Sequence, residues 1–130
     1  MSKRIKKLPD GELEIMQIIW DCENEKSVGG FVNRAEIDER ISGSHKIAQT
    51  TLLTILSRLS EKGFVEIRKQ GRVSVYRSLV KKEKYLSVQS KDFVSRLCGG
   101  SMSVFAAALC DSGLSEEDIE ELRRLLKENK

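Results

Sequence analysis

The stretch AQTTLLTILSRLSEKG, Ala48 to Gly63, constrains this chain more than any other. Ala48, Leu52, Ile55, Leu56 and Leu59 recur at helical spacing and form one apolar stripe. The opposite face carries Thr50, Thr54, Ser57 and Glu61, with Thr51, Leu53 and Arg58 on the flanks. An ordinary core helix shares such a stripe. The outer face is the unusual part, because short hydroxyl side chains and one arginine let it approach another surface closely. Gly63 ends the helix as a C-terminal glycine cap does, and a β-like run follows at once.

The neighbouring segments give this helix a context. Asn33 is a natural N-cap with Glu36 as its capping-box partner, which predicts a short helix over Arg34–Ile41 with Ala35, Ile37 and Ile41 apolar. Ser42-Gly43-Ser44 ends it, and His45–Ala48 leads into the long helix. A short helix, a glycine-containing turn and a longer helix are in helix-turn-helix order. Phe64–Lys69 and Val73–Ser78 are rich in β-branched and aromatic residues, with Gln70-Gly71-Arg72 as a hairpin turn between them. A helix-turn-helix followed by a basic hairpin is a winged helix-turn-helix. The second helix of such a unit enters the DNA major groove and reads base edges from its first turns.

Charge is distributed in agreement with this. The chain carries only +3 overall, but His45–Lys82 holds nine Lys and Arg against Glu61 and Glu66, a local +7. A patch of that kind is the footprint of a phosphate-binding surface, although a solvated basic face has the same composition. Arg72 at the hairpin tip and Arg68 and Lys69 on its arm are in reach of phosphates. The candidate DNA-contacting set is Lys46, Gln49, Thr50, Thr51, Leu53, Thr54, Ser57, Arg58 and Arg72.

At the N-terminus, MSKRIKK is a basic arm that either frays or touches phosphates. A first helix begins near Pro9–Asp10, since proline suits the first turn and aspartate can cap it. Leu13, Met16, Ile19 and Trp20 share its apolar face, with Ile15 beside it. The polar segment Asp21–Val32, with Gly29-Gly30, reads as a loop. Residues 1–80 are thus expected to form a winged-helix DNA-binding domain.

From Lys81 the character changes. Lys82–Leu97 is helical, Gly99-Gly100-Ser101 breaks it, and MSVFAAALC (Met102–Cys110) is nearly all apolar or small. Ser115-Glu116-Glu117-Asp118 is a capping box, with Leu114 and Ile119 as a hydrophobic staple. Acidic residues open this last helix and Arg123, Arg124 and Lys127 lie towards its end, as the helix macrodipole favours. Its apolar stripe is Ile119, Leu122, Leu125 and Leu126. These helices are too few to close a core alone, so they either fold back on the first domain or pair with a second chain. Two-fold homodimers are the commonest oligomer, and one would place two recognition helices on a palindrome, a DNA turn of about 34 Å or a multiple of it apart. Residues 81–130 are therefore expected to form a helical dimerisation domain through Leu97, Val104, Phe105, Leu109, Ile119, Leu122, Leu125 and Leu126. The fold class is mainly α with a small β-hairpin.

Other functions find little support. His45 is the lone histidine and has no cysteine partner nearby, and no carboxylates stand at a catalytic spacing, so no catalytic residue, metal site or cofactor is expected. Cys22, Cys98 and Cys110 lack metal-ligand spacing and read as free thiols packed as small hydrophobes, with a thiol-sensing role for Cys98 or Cys110 as the alternative. No apolar run is long enough to span a bilayer and no signal-peptide pattern opens the chain, so the expected location is cytoplasmic. A winged-helix module that docks on an acidic protein instead of DNA remains the competing class.

With these residues laid out, the chain resembles the penicillinase-repressor family of BlaI, MecI and CopY. The match rests on Glu12-Leu13-Glu14-Ile15-Met16 followed by Ile19-Trp20, on Thr51-x-x-Thr54 with Arg58-Leu59-x-x-Lys62-Gly63-Phe64, and on Gly71-Arg72 before Tyr76. It extends to the Gly100-Ser101 break and to the closing Leu-Ser-x-x-Asp-Ile-Glu-Glu-Leu that ends at Leu122. The resemblance implies a winged-helix domain, a helical dimerisation domain and a homodimeric repressor on a dyad operator of double-stranded DNA. By position, Thr51 and Thr54 match the family's recognition-helix threonines and Arg58 its following arginine, whereas Leu53 stands where family members carry an arginine. Antibiotic-responsive members are cut in the C-terminal domain between an Asn and a Phe in an apolar helix, so the resemblance points to an upstream sensor or protease as a further partner. The matching place here is near Ala108-Leu109, and that pair is not preserved. The Cys-x-Cys motifs of the copper-responsive members are absent from ELRRLLKENK. The Cys22–Val32 connection is longer than is usual in the family.

Overall fold

The structure, a computed structural model, describes residues 5–26, 30–41 and 47–128. The turn expected at Ser42–Ser44, together with His45 and the candidate DNA contact Lys46, lies outside the described residues, as do the first residues of the basic arm. The order of elements is α1 (Asp10–Asn24), β1 (Val32–Asn33), α2 (Arg34–Ile41), α3 (Gln49–Glu61), β2 (Val65–Gln70), β3 (Val73–Ser78), α4 (Lys82–Leu97), α5 (Met102–Asp111) and α6 (Glu116–Glu128). The chain divides into two compact units, and the division falls inside α4, between Val88 and Gln89.

In the first unit three helices pack over a small antiparallel sheet of order β1-β3-β2. α1 supplies Ile15, Met16, Ile19 and Trp20 to the core, and α3 supplies Leu52, Leu56 and Leu59. Phe64, Val65 and Tyr76 bring in the sheet, and Tyr85 on α4 completes an aromatic cluster with Trp20 and Phe64 at ring distances of 5.8 and 5.7 Å. The Tyr85 hydroxyl accepts the Leu8 N–H at 2.9 Å, and the Trp20 indole donates to the Val80 carbonyl at 3.0 Å. These bonds close both ends of the unit around one core.

The capping box at α2 forms in both directions. The Asn33 side chain accepts the Glu36 N–H at 2.9 Å, and Glu36 accepts the Asn33 N–H at 3.2 Å. α3 ends in a Schellman motif: the Gly63 N–H reaches Ser60 O at 3.0 Å and the Phe64 N–H reaches Leu59 O at 2.9 Å. Gly63 takes φ 82°, which only glycine adopts without strain. Buried Leu59 and Phe64 supply the apolar contact that accompanies such an ending.

Several local expectations are corrected. Asp10 does not cap α1; it is the first helical residue, Pro9 occupies the cap position and no side chain bonds there. α1 runs on to Asn24 through the first part of the expected loop, because Cys22 points into the core at 2% exposure. Residues 27–29 of that loop lie outside the described residues, and its last residue, Val32, opens β1, which pairs Val32 with Tyr76 and Asn33 with Val75; two residues are too few to carry an alternating pattern. Ile15 is fully buried whereas Leu13 is only half-buried. Ala48 and Ala35 are exposed, since each sits at or before the first turn of its helix, clear of the core. The wing starts at Val65, and its turn is the two residues Gly71-Arg72, with Gln70 paired to Val73. Gly71 has φ 67°, the positive value that a type II′ hairpin needs at its first central position.

In the second unit, α5 is capped by the Ser101 side chain, which accepts the Val104 N–H at 3.3 Å, and Phe93 meets Phe105 edge-on at 6.0 Å. Ser115 and Asp118 form the expected capping box of α6, at 3.2 and 3.1 Å. Neither α5 nor α6 has a buried residue. Cys22 and Cys98 are buried, but Cys110 is exposed and so is not the packed thiol expected. Among the described residues, no single helix is long and apolar enough to cross a membrane.

Candidate nucleic-acid interface

α3 turns Gln49, Thr50, Thr51, Leu53, Thr54, Ser57 and Arg58 outwards, all of them exposed. The core anchors at Leu52, Leu56 and Leu59 fix this orientation, because each is at most 1% exposed. At the start of the helix, the Gln49 side-chain amide donates to Asp38 on α2 at 3.1 Å, which ties the two helices together on their open side. In the middle of the outer face, the Thr54 hydroxyl donates to the Thr50 carbonyl at 2.9 Å.

The wing stands beside this face. An open groove of about 540 Å³ separates it from α3. Asn33, Arg34 and Asp38 border the groove from the α2 side, Leu53 borders it from α3, and Arg72, Val73 and Ser74 from the wing. Tyr76 also lines it, and burial pushes its phenol up against the opposing effect of nearby Arg34 and a Ser74 hydrogen bond. Sequence reasoning missed Arg34. The capping box placed it at the first helical residue, but only the folded wing shows that it shares a groove with Arg72.

The cations of the basic region do not all face outwards unpaired. Glu66 accepts from Arg68 at 2.7 Å and from Arg77 at 2.5 Å. The Arg68 hydrogen bond is the main reason its carboxyl lies below the ordinary range, with burial opposing and Arg77 assisting. Both guanidiniums also lie over the Phe31 ring, 5.1 Å from its centroid. Arg68, expected on sequence grounds to reach phosphates, is therefore engaged within the sheet. Lys62 is engaged too, by Glu12. Arg34, Arg58, Lys69 and Arg72 have no ion-pair partner among the described residues, and neither do Lys81 and Lys82, so the groove, the α3 flank and the wing tip each carry outward charge.

In the second unit, Leu97, Val104, Ile119, Leu122, Leu125 and Leu126 are exposed, and Phe105 and Leu109 are half-buried. Leu97 and Leu126 reach 73% and 64% exposure, in a continuous run of helices with no buried residue in the last two. Ala108 and Leu109 lie inside α5, where the Ala108 carbonyl accepts the Ser112 N–H at 3.0 Å. Among the described residues no group of three or more His, Cys, Asp or Glu side chains is placed to hold a metal ion.

Comparison with known proteins gives a consistent result. The sequence model of the family described as Penicillinase repressor matches residues 8–128. The Penicillinase repressor of Bacillus licheniformis is 33% identical over 129 residues, covering 98% of this chain and 95% of that protein. The Methicillin resistance regulatory protein MecI of Staphylococcus aureus strain N315 is 28% identical over 127 residues, covering 97% and 98%. The solution structure of the DNA-binding domain of the repressor BlaI superposes with a TM-score of 0.51 at 31% identity, covering 65% of this chain and 94% of that one.

Proposed function

Because the chain belongs to the penicillinase repressor family of DNA-binding transcriptional regulators, we propose that it works as a homodimer that represses transcription by occupying a palindromic operator in double-stranded DNA. The observation that carries this reading is the pairing of α3 and the wing: a helix face of short polar side chains next to cations that have no ion-pair partner among the described residues. Gln49, Thr50, Leu53, Thr54, Ser57 and Arg58 read base edges or adjoining phosphates, and Arg72 holds the backbone from the wing tip. Lys46 and Thr51 belong to the same contact set.

In this reading residues 1–80, with Tyr85 of α4 packed into their core, form the DNA-binding domain, and the remainder of residues 81–130 forms the dimerisation domain. Leu97, Val104, Phe105, Leu109, Ile119, Leu122, Leu125 and Leu126 cover one another across a two-fold axis. The support is physical, since a segment as apolar as Met102–Cys110 does not remain in water when a self-complementary partner is available. The place of action is the cytoplasm. An inducing signal releases the repressor, and a sensor-linked protease acting near Ala108 and Leu109 would have to unwind α5 before cutting it.

The test is a selection of random duplexes by the purified protein, with its mass measured by light scattering on and off DNA. A dimer that enriches a palindrome with half-sites one helical turn or a multiple of it apart is expected. A monomer, or no enriched sequence at low salt, overturns the reading and favours a protein-docking module.

A further inference from the structure

Two features of α3 bear on which base it can read. Leu53 sits on the helix flank that borders the wing groove and is 43% exposed; Val73, across the groove, is 54% exposed. Thr54, the next residue, has its hydroxyl proton committed to the Thr50 carbonyl at 2.9 Å. A threonine bonded in this way offers an outside partner only its methyl group and an oxygen lone pair. Leu53, where α3 borders the wing groove, and its neighbour Thr54 thus present carbon where a hydrogen-bond donor would be expected of a base-reading helix.

The major groove carries one apolar mark, the 5-methyl group of thymine. We infer that Leu53 selects a thymine in the operator by packing against its 5-methyl group, with the Thr54 methyl beside it. The occupant of the groove is set by charge: Arg34 from α2 and Arg72 from the wing line the same groove as Leu53, and neither has a carboxylate partner among the described residues. Asp38, the carboxylate that also borders the groove, is engaged by Gln49. An apolar contact in a groove lined by two cations fits a base edge that carries a phosphate on either side. The inference rests on the DNA-binding reading above and adds the chemistry of one base position to it.

The experiment uses the full-length protein and the duplex it enriches from a random pool. Each thymine is replaced in turn by deoxyuridine, which removes the 5-methyl group and leaves every hydrogen bond in place. One position per half-site is expected to lose affinity by about fourfold, the value of one buried methyl group. In Leu53→Ala the same replacement has a markedly smaller effect, and Leu53→Met, which keeps an apolar side chain, retains the sensitivity. Leu53 is half in solvent, so neither variant touches the core. If the wild type binds its selected duplex and no deoxyuridine changes affinity, the inference falls and the repressor reading stands. Undiminished sensitivity in Leu53→Ala also overturns it, since another residue then reads the methyl. Failure to bind any duplex at low salt removes both together.

Discussion

Glu12 on α1 and Lys62 at the C-cap of α3 form an ion pair of 2.5 Å in which the Glu12 side chain is 7% exposed and the Lys62 side chain 31%. The lysine also sits where the macrodipole of α3 favours a cation. By sequence Lys62 counts towards the basic region around the recognition helix. In the fold its charge holds the end of that helix against α1. Glu12→Gln is expected to lower stability by about 2 kcal/mol, less than a fully buried pair because Lys62 keeps some solvent. Urea denaturation checks this, and an unchanged midpoint would refute the tether.

A second prediction separates internally paired cations from available ones. The slope of log affinity on log salt changes by roughly 0.9 for each phosphate that a variant no longer neutralises. Arg72→Ala at the wing tip should reduce that slope by about this amount and weaken selected and random duplexes alike. Lys62→Gln should leave the slope unchanged, whatever it does to stability. Titrations of both variants from low to moderate salt decide the matter, and a slope change in Lys62→Gln would return that lysine to the DNA surface.

Legibility in the sequence followed the range of the interactions. The α3 stripe, the Asn33–Glu36 and Ser115–Asp118 capping boxes and the Gly63 ending were readable because each is made within a few residues of its own position. β1 was not readable, because two residues hold no period and the strand exists only through its pairing with β3. The same limit hid the pairings of Glu12 with Lys62 and of Glu66 with Arg77, the groove shared by Arg34 and Arg72, and the stacking on Phe31. Charge composition overstated the outward charge of the basic region, since composition cannot tell an arginine bound to a carboxylate from one facing water.

Acid should weaken the first unit through the α2 capping box. Burial pushes the Glu36 carboxyl up, but hydrogen bonds from Lys26 and from the Asn33 backbone outweigh it, and the group lies below its ordinary value of 4.5. A carboxyl depressed in the fold is protonated first in the unfolded chain. Its contribution is therefore complete above the ordinary carboxylate range and is lost as pH falls through and below it. Thermal midpoints of the wild type should fall on acidification in that window, and Glu36→Gln should show a shallower fall. Asn33→Ala, which removes the cap itself, should cost about 1 kcal/mol at neutral pH. Parallel acid profiles for wild type and Glu36→Gln would show that Glu36 is not the group responsible.

Leu122 tests the second unit. It lies on the apolar stripe of α6 with Ile119, Leu125 and Leu126, and is 39% exposed in the single chain. If the stripe closes on a second copy, Leu122→Lys places two charges close together at a two-fold contact, where they can neither separate nor be solvated. The variant should be a monomer by sedimentation with an unchanged far-ultraviolet spectrum, because no buried residue of α6 is removed. Its affinity for one half-site should match the wild type, while its affinity for the full palindrome should fall by about 100-fold, the gain that linkage of two sites provides. A Leu122→Lys protein that stays dimeric with full operator affinity would place the interface elsewhere on the chain. A variant with weaker half-site affinity as well would mean that α6 supports the DNA-binding unit directly.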